Sequence, residues 1–149
     1  MYSTGHLREA EAEARKVLAI SPSYDNGHAA LGYVFLAQGK LEAALAEIQQ
    51  NQWQSGLAKV YHAMGREAAS DAALTQLIEK HAQDEACGIA RVYAYRKQLD
   101  QAFSWLERAY RQRDIFLPFI KSAQVDPLLK DFAQDPRYAA FLRKMNLPE

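Results

Sequence analysis

Residues 28–48 read HAALGYVFLAQGKLEAALAEI, and this stretch decides the fold. Large apolar residues stand at Leu31, Phe35 and Ile48, small ones at Gly32 and Ala44, and Gly39 separates two amphipathic segments. Apolar positions three and four apart are the helical period. The two helices of such a hairpin approach closely only where side chains are small, at Gly32 and Ala44.

Outward from this stretch the pattern returns in register. Gly5 lies 34 residues before Gly39, and Ala10, Ala14, Val17 and Pro22 follow it as a second helix with a closing proline. Downstream come Leu57, Ala58, Tyr61, Gly65, Ser70 and Leu74. Then come Ile89, Ala90, Tyr93, Ala102, Leu106 and Ala109, with Lys97 where a glycine is expected. Self-similarity at this period marks a helical repeat architecture. Composition agrees: 26 alanines outnumber the 13 Val, Ile and Thr residues, and alanine favours helix while β-branched residues favour strand.

The run His28-x2-Leu31-Gly32-x2-Phe35, then Gly39, then Ala44-x3-Ile48, resembles the tetratricopeptide repeat pattern W-x2-L-G-x2-Y followed by A-x3-F. The resemblance covers roughly residues 5 to 112. It implies an all-α protein, an alpha-alpha superhelix of TPR hairpins with a C-terminal helical cap. An orphan second helix is expected at 5–21, repeats at about 25–50, 51–82 and 83–112, and the cap at 113–149.

Two departures carry expectations of their own. Gly39 and Gly65 are only 26 residues apart, so the second helix of that repeat is about two turns short, ending at Gln49-Gln50-Asn51-Gln52. Trp53 then opens the next helix, and the superhelix should change pitch there. At the start, Met1 enters mid-repeat, leaving Leu7, Ala10, Ala14 and Leu18 without part of their cover. That suggests a C-terminal piece of a longer protein, or a protomer that hides this face by self-association.

After Arg113 the pattern changes to the apolar run Ile115-Phe116-Leu117-Pro118-Phe119-Ile120. Two Asp-Pro steps follow, Asp126-Pro127 and Asp135-Pro136. Asp at an N-cap accepts orphan N–H groups, and proline suits the first helical turn, so each step predicts a helix start. The faces that follow are Leu128, Leu129 and Phe132, then Tyr138, Phe141, Leu142 and Met145, read as lids over the last repeat. This tail is similar to the C-terminal ends of bacterial TPR proteins whose array follows a regulatory domain, such as winged-helix regulators and nucleotide cyclases.

Chemistry is sparse. Eighteen basic residues balance eighteen acidic ones, which disfavours a nucleic-acid binder. Cys87 is single, and His6, His28, His62 and His81 lack zinc-helix spacing. His28 stands at the consensus tryptophan position, which predicts a packing role. Glu42, Glu47, Asp84 and Glu85 fall on polar helix faces, where solvation or ion pairing is the default. There is no phosphate loop and no nucleophile elbow, so no enzyme, cofactor or metal is expected. No secretory signal or membrane span is legible, which reads as a cytoplasmic chain.

The resemblance places the peptide-binding groove on the first helix of each hairpin. Carried over, it names Asn26, Ala29, Tyr33 and Leu36, then Gln52, Ser55, Lys59 and His62, then Asp84, Cys87, Arg91 and Ala94. One rung is Tyr33, Lys59 and Arg91, an aromatic and two cations, which suits a peptide with acidic groups. The asparagine pair of the carboxylate-clamp subfamily is missing, so chaperone binding is not expected. The reading is a protein–protein interaction scaffold that binds a partner peptide in its concave groove. A homodimer through the N-terminal helix is the alternative, and a ligand-sensing domain the remote one.

Overall fold

The computed structural model describes residues 4–50, 53–124 and 127–146, and the chain is all-α. The helices are α1 Thr4–Ile20, α2 Asp25–Ala37, α3 Leu41–Gln49, α4 Gln54–Ala63, α5 Glu67–His81, α6 Ala86–Tyr95, α7 Leu99–Gln112, α8 Lys130–Gln134 and α9 Pro136–Lys144. Two 3-10 segments, Leu117–Gln124 and Pro127–Leu129, lie between α7 and α8, and no strand occurs among the described residues. Among the described residues no helix is long and apolar enough to cross a membrane.

The chain divides inside α5 into two compact units, one ending at Gln76 and the other beginning at Leu77. In the first, α2 packs against α1, α3 and α4. In the second, α6 pairs with α7, and the segments after Arg113 close over that pair.

The hairpins share one construction. Small residues twelve apart recur at Gly32 and Ala44, Ala58 and Ser70, and Ala90 and Ala102, and all six are buried. A Cβ on Gly32 would come 2.6 Å from Ile48 Cγ1 and 3.4 Å from the Ala44 carbonyl oxygen, so only glycine permits this approach. At the second pair, the Ser70 hydroxyl donates to the Ala58 carbonyl at 2.7 Å, which satisfies a buried polar group. Seven residues after the first member of each pair the backbone turns left-handed, at Gly39 (φ 77°), Gly65 (φ 77°) and Lys97 (φ 61°). The next N–H then donates five residues back, Lys40 to Phe35, Arg66 to Tyr61 and Gln98 to Tyr93, at 2.8–2.9 Å. That bond satisfies a carbonyl at the end of the first helix.

Lys97 therefore adopts the conformation its two counterparts leave to glycine. A side chain in the left-handed region costs about 1–2 kcal/mol, and the exposed Lys97–Asp131 pair (3.2 Å) returns at most about 1. Lys97→Gly is expected to raise stability by about 0.5–1 kcal/mol in urea unfolding, less whatever glycine's freedom adds to the unfolded chain. A loss would mean that the ion pair outweighs the strain.

Helix α3 has 9 residues, against 15 in α5 and 14 in α7, so the shortening read from the glycine spacing is present. Trp53 stands at the N-cap of α4. Its ring folds over Gly56, where a Cβ would overlap ring carbon Cε3.

Residues after Arg113 do not form a separate body. Leu117, Ile120, Leu129, Phe132, Tyr138, Phe141 and Leu142 share one core with Ala90, Ala102, Phe103 and Leu106. Phe132 is fully buried, with its ring centroid 4.9 Å from Phe103 and 5.3 Å from Tyr138. Asp135 caps α9 as expected, accepting from the Arg137 N–H at 2.9 Å with proline beside it. The Arg137 guanidinium also holds the Asp135 carboxyl below its usual range. Asp126 lies outside the described residues, and Pro127 opens a 3-10 turn, with α8 beginning only at Lys130. The Tyr138 hydroxyl donates to the Ile120 carbonyl at 2.8 Å, and burial pushes its phenol up to about 12.

Candidate functional site

Two of the groove residues named from the first unit, Tyr33 and Lys59, meet each other and Trp53. Lys59, on α4, is only 4% exposed, so it is not the solvated lysine its position suggests. Its ammonium lies 5.4 Å from the Tyr33 ring on α2 and 5.7 Å from the Trp53 ring. Trp53, Gly56 and Lys59 are three residues apart on one helix face, and the missing side chain at Gly56 gives the indole its seat. A cation between two aromatic faces is favoured most where water is scarce.

The other named positions separate. Leu36 is 4% exposed and belongs to the core, because α2 is covered by α1, α3 and α4 and keeps little free surface. Ser55 is likewise buried in the first turn of α4. Both are corrected from groove to core. Asn26 is exposed and donates to the Tyr24 hydroxyl at 3.2 Å. His62 is half-buried, with Nδ1 2.8 Å from Glu67 across the α4–α5 turn. Ala29 is half-buried, and Gln52 lies outside the described residues.

In the second unit, Asp84 is exposed beside His81 at 3.3 Å. Arg91 is half-buried, and its charge acts on the Tyr138 phenol, so it faces the segment that closes this core. Cys87 and Ala94 are buried, at 1% and 2%. Cys87 is a core thiol, with Sγ 3.9 Å from the Phe116 carbonyl.

The proposed self-association face also points inward. Ala14 is 6% exposed, and Leu7, Ala10 and Leu18 are partly covered, since α1 uses this stripe against α2. A Cβ on Gly27 would come 2.9 Å from Leu18 Cδ2, which shows how closely that leucine is packed. The large apolar residues α1 leaves outward are Val17 and Ile20. At the same interface Gln38 donates to Glu11 at 3.0 Å, and this bond, with Arg15 beside it, lowers the Glu11 carboxyl below its ordinary value.

His28 does more than pack. Its Nδ1 lies 2.6 Å from a Glu47 oxygen and its Nε2 lies 2.7 Å from the Pro22 carbonyl, so the ring ties α2 to α3 and to the preceding turn. An imidazole meets those oxygens where indole could satisfy only one.

Asp114 and Trp53 had not been singled out by the sequence reading as site residues. Asp114, 9% exposed, accepts from the N–H of Cys87 at 2.9 Å and of Phe116 at 2.8 Å. It thus caps α6 from 27 residues away, where the adjacent Glu85 makes no side-chain cap. The Trp53-x2-Gly56 spacing was a readable signal for a folded-back indole, but the cap had none.

The second unit carries an open notch of about 500 Å³ between α7 and α9. Its floor is Phe103 and Phe141, with small Ser104 and Ala140 between them. Ion pairs bound its ends, Asp100 with Arg137 at 2.8 Å and Glu107 with Lys144. Among the described residues no group of His, Cys, Asp and Glu could hold a metal ion. Compared with protein-family models, with curated proteins and with solved structures, the chain matches none.

Proposed function

We propose that this chain is a tetratricopeptide-type interaction module that holds another polypeptide through the surface around Tyr33, Trp53 and Lys59. The observation that carries this reading is the hairpin construction: three small-residue pairs twelve apart, each followed at the same distance by a left-handed turn. Such units stack rather than react, and they offer side chains of their first helices to a ligand. Lys59 gives that surface its chemistry. A charge this shielded from water is screened less than a surface lysine, so its field favours a carboxylate approaching the neighbouring rings. The preferred partner is a peptide with acidic groups. On this reading the module works as a scaffold within a regulatory protein of the bacterial type that its tail resembles, in the cytoplasm.

Trp53 is a built-in reporter, read alone in a Trp105→Phe background. Acidic peptides are expected to shift its emission saturably and to bind about ten-fold more tightly than their amidated counterparts. Lys59→Met keeps the aliphatic stem and should erase that preference. Equal binding of acidic and amidated peptides, or none of either, overturns the reading.

A further inference from the structure

We propose that the second unit pairs with a second copy of this chain, each copy seating Ile115 and Phe116 in the notch between α7 and α9 of the other. This is independent of peptide binding at Lys59.

Three observations converge on it. Ile115 is 76% exposed and Phe116 is 53% exposed, an unusual exposure for adjacent bulky apolar residues. They are not a loose loop tip: the Asp114 carboxylate holds the Phe116 N–H and the α6 N-terminus together, which ties the backbone of the knob to α6. The same unit carries a notch floored by Phe103 and Phe141, where Ser104 and Ala140 leave space beside the Arg137 guanidinium that lies over the Phe103 ring at 4.6 Å. An ordered knob and an open notch are the two halves of one contact.

The charges on α7 say how the copies meet. Its outward stripe runs Asp100, Ser104, Glu107, Arg111, acidic in its first part and basic in its last, with Arg113 just beyond. Arg111 and Arg113 are exposed and make no ion pair among the described residues. Antiparallel pairing about a two-fold axis near Ala109 and Tyr110 opposes Glu107 to Arg111 of the second copy. Parallel pairing would set like charges together. Tyr110, 39% exposed beside the axis, supplies the central apolar contact and already packs on Phe141 at 6.3 Å. A two-fold contact closes on itself, so both knobs are used and no filament grows.

The contact is small, and a Kd on the order of 100 µM is expected, as for transient interfaces. By sedimentation equilibrium from micromolar to millimolar protein, the mass should rise from 16.8 kDa toward twice that value. Phe116→Asp removes the knob and Ser104→Trp fills the notch, both at exposed sites where circular dichroism should confirm an unchanged fold. Each should weaken pairing at least about ten-fold. Mixed together they should pair again in part, because the intact knob of Ser104→Trp fits the intact notch of Phe116→Asp. Val17→Asp with Ile20→Asp, on α1, should change nothing. A single-chain mass throughout, a dimer indifferent to both variants, or a mixture that fails to pair each overturns the proposal, and a dimer lost only with the α1 variant assigns the contact to α1 instead.

Discussion

Phe132→Ala is expected to cost about 3–5 kcal/mol, the range for truncating a fully buried phenylalanine. The ring stands between Phe103 of α7 and Tyr138 of α9, so its loss opens a cavity that neither partner can fill without leaving its own contacts. Phe103 is also held by the Arg137 guanidinium, 4.6 Å from its centroid, and Tyr138 by its bond to the Ile120 carbonyl. Both are therefore poorly placed to collapse inward. Urea unfolding followed by Trp105 emission, in a Trp53→Phe background, reads this core directly, since Trp105 lies on α7. In thermal unfolding the midpoint temperature should fall by about 10 °C or more. Phe132→Leu should recover most of the loss, because it restores volume. A cost below about 1 kcal/mol for alanine would mean that the segment after Arg113 is not packed on α6 and α7.

Asp114→Ala ranks next, with an expected cost of about 3 kcal/mol. Each N–H bond to a buried carboxylate contributes about 1.5–3 kcal/mol, and the two here are 2.9 and 2.8 Å long. One of them satisfies an orphan donor at the start of α6, where the helix dipole also favours negative charge. Asp114→Asn should recover less than half, because its amide nitrogen would face one of the two N–H groups. Equal and small losses for alanine and asparagine would show that water replaces the carboxylate at the α6 terminus. The variant also frees Phe116, so the self-pairing proposed above should weaken with it.

Much of the fold was legible because its signals are local. Gly32, Ala44, Ala58, Ser70, Ala90 and Ala102 stand where two helices must come close, and Gly39 and Gly65 where the backbone must turn left-handed. Asp135 with Pro136 announced α9 for the same reason, since a cap and its helix are neighbours in the chain. Lys97 shows the limit of such signals: the turn persists there, at φ 61°, without its glycine.

The candidate site was legible only in part. Lys59 and Tyr33 were named from their repeat positions, and they do meet, at 5.4 Å. Leu36, named in the same way, is as buried as Lys59, and Ala14, named for an uncovered helix face, is buried too. Helical periodicity states which residues share a face, but it does not state which neighbouring helix covers that face. The covering of α2 by three helices, the reach of Asp114 to a helix 27 residues away, and the notch between α7 and α9 were decided by tertiary structure alone. Each depends on contacts between residues far apart in the chain, and those are set by the joint packing of several elements. Helix periodicity, the glycine turns at Gly39 and Gly65 and the small residues of each hairpin act between near neighbours in the chain, and that is why they could be read without the fold.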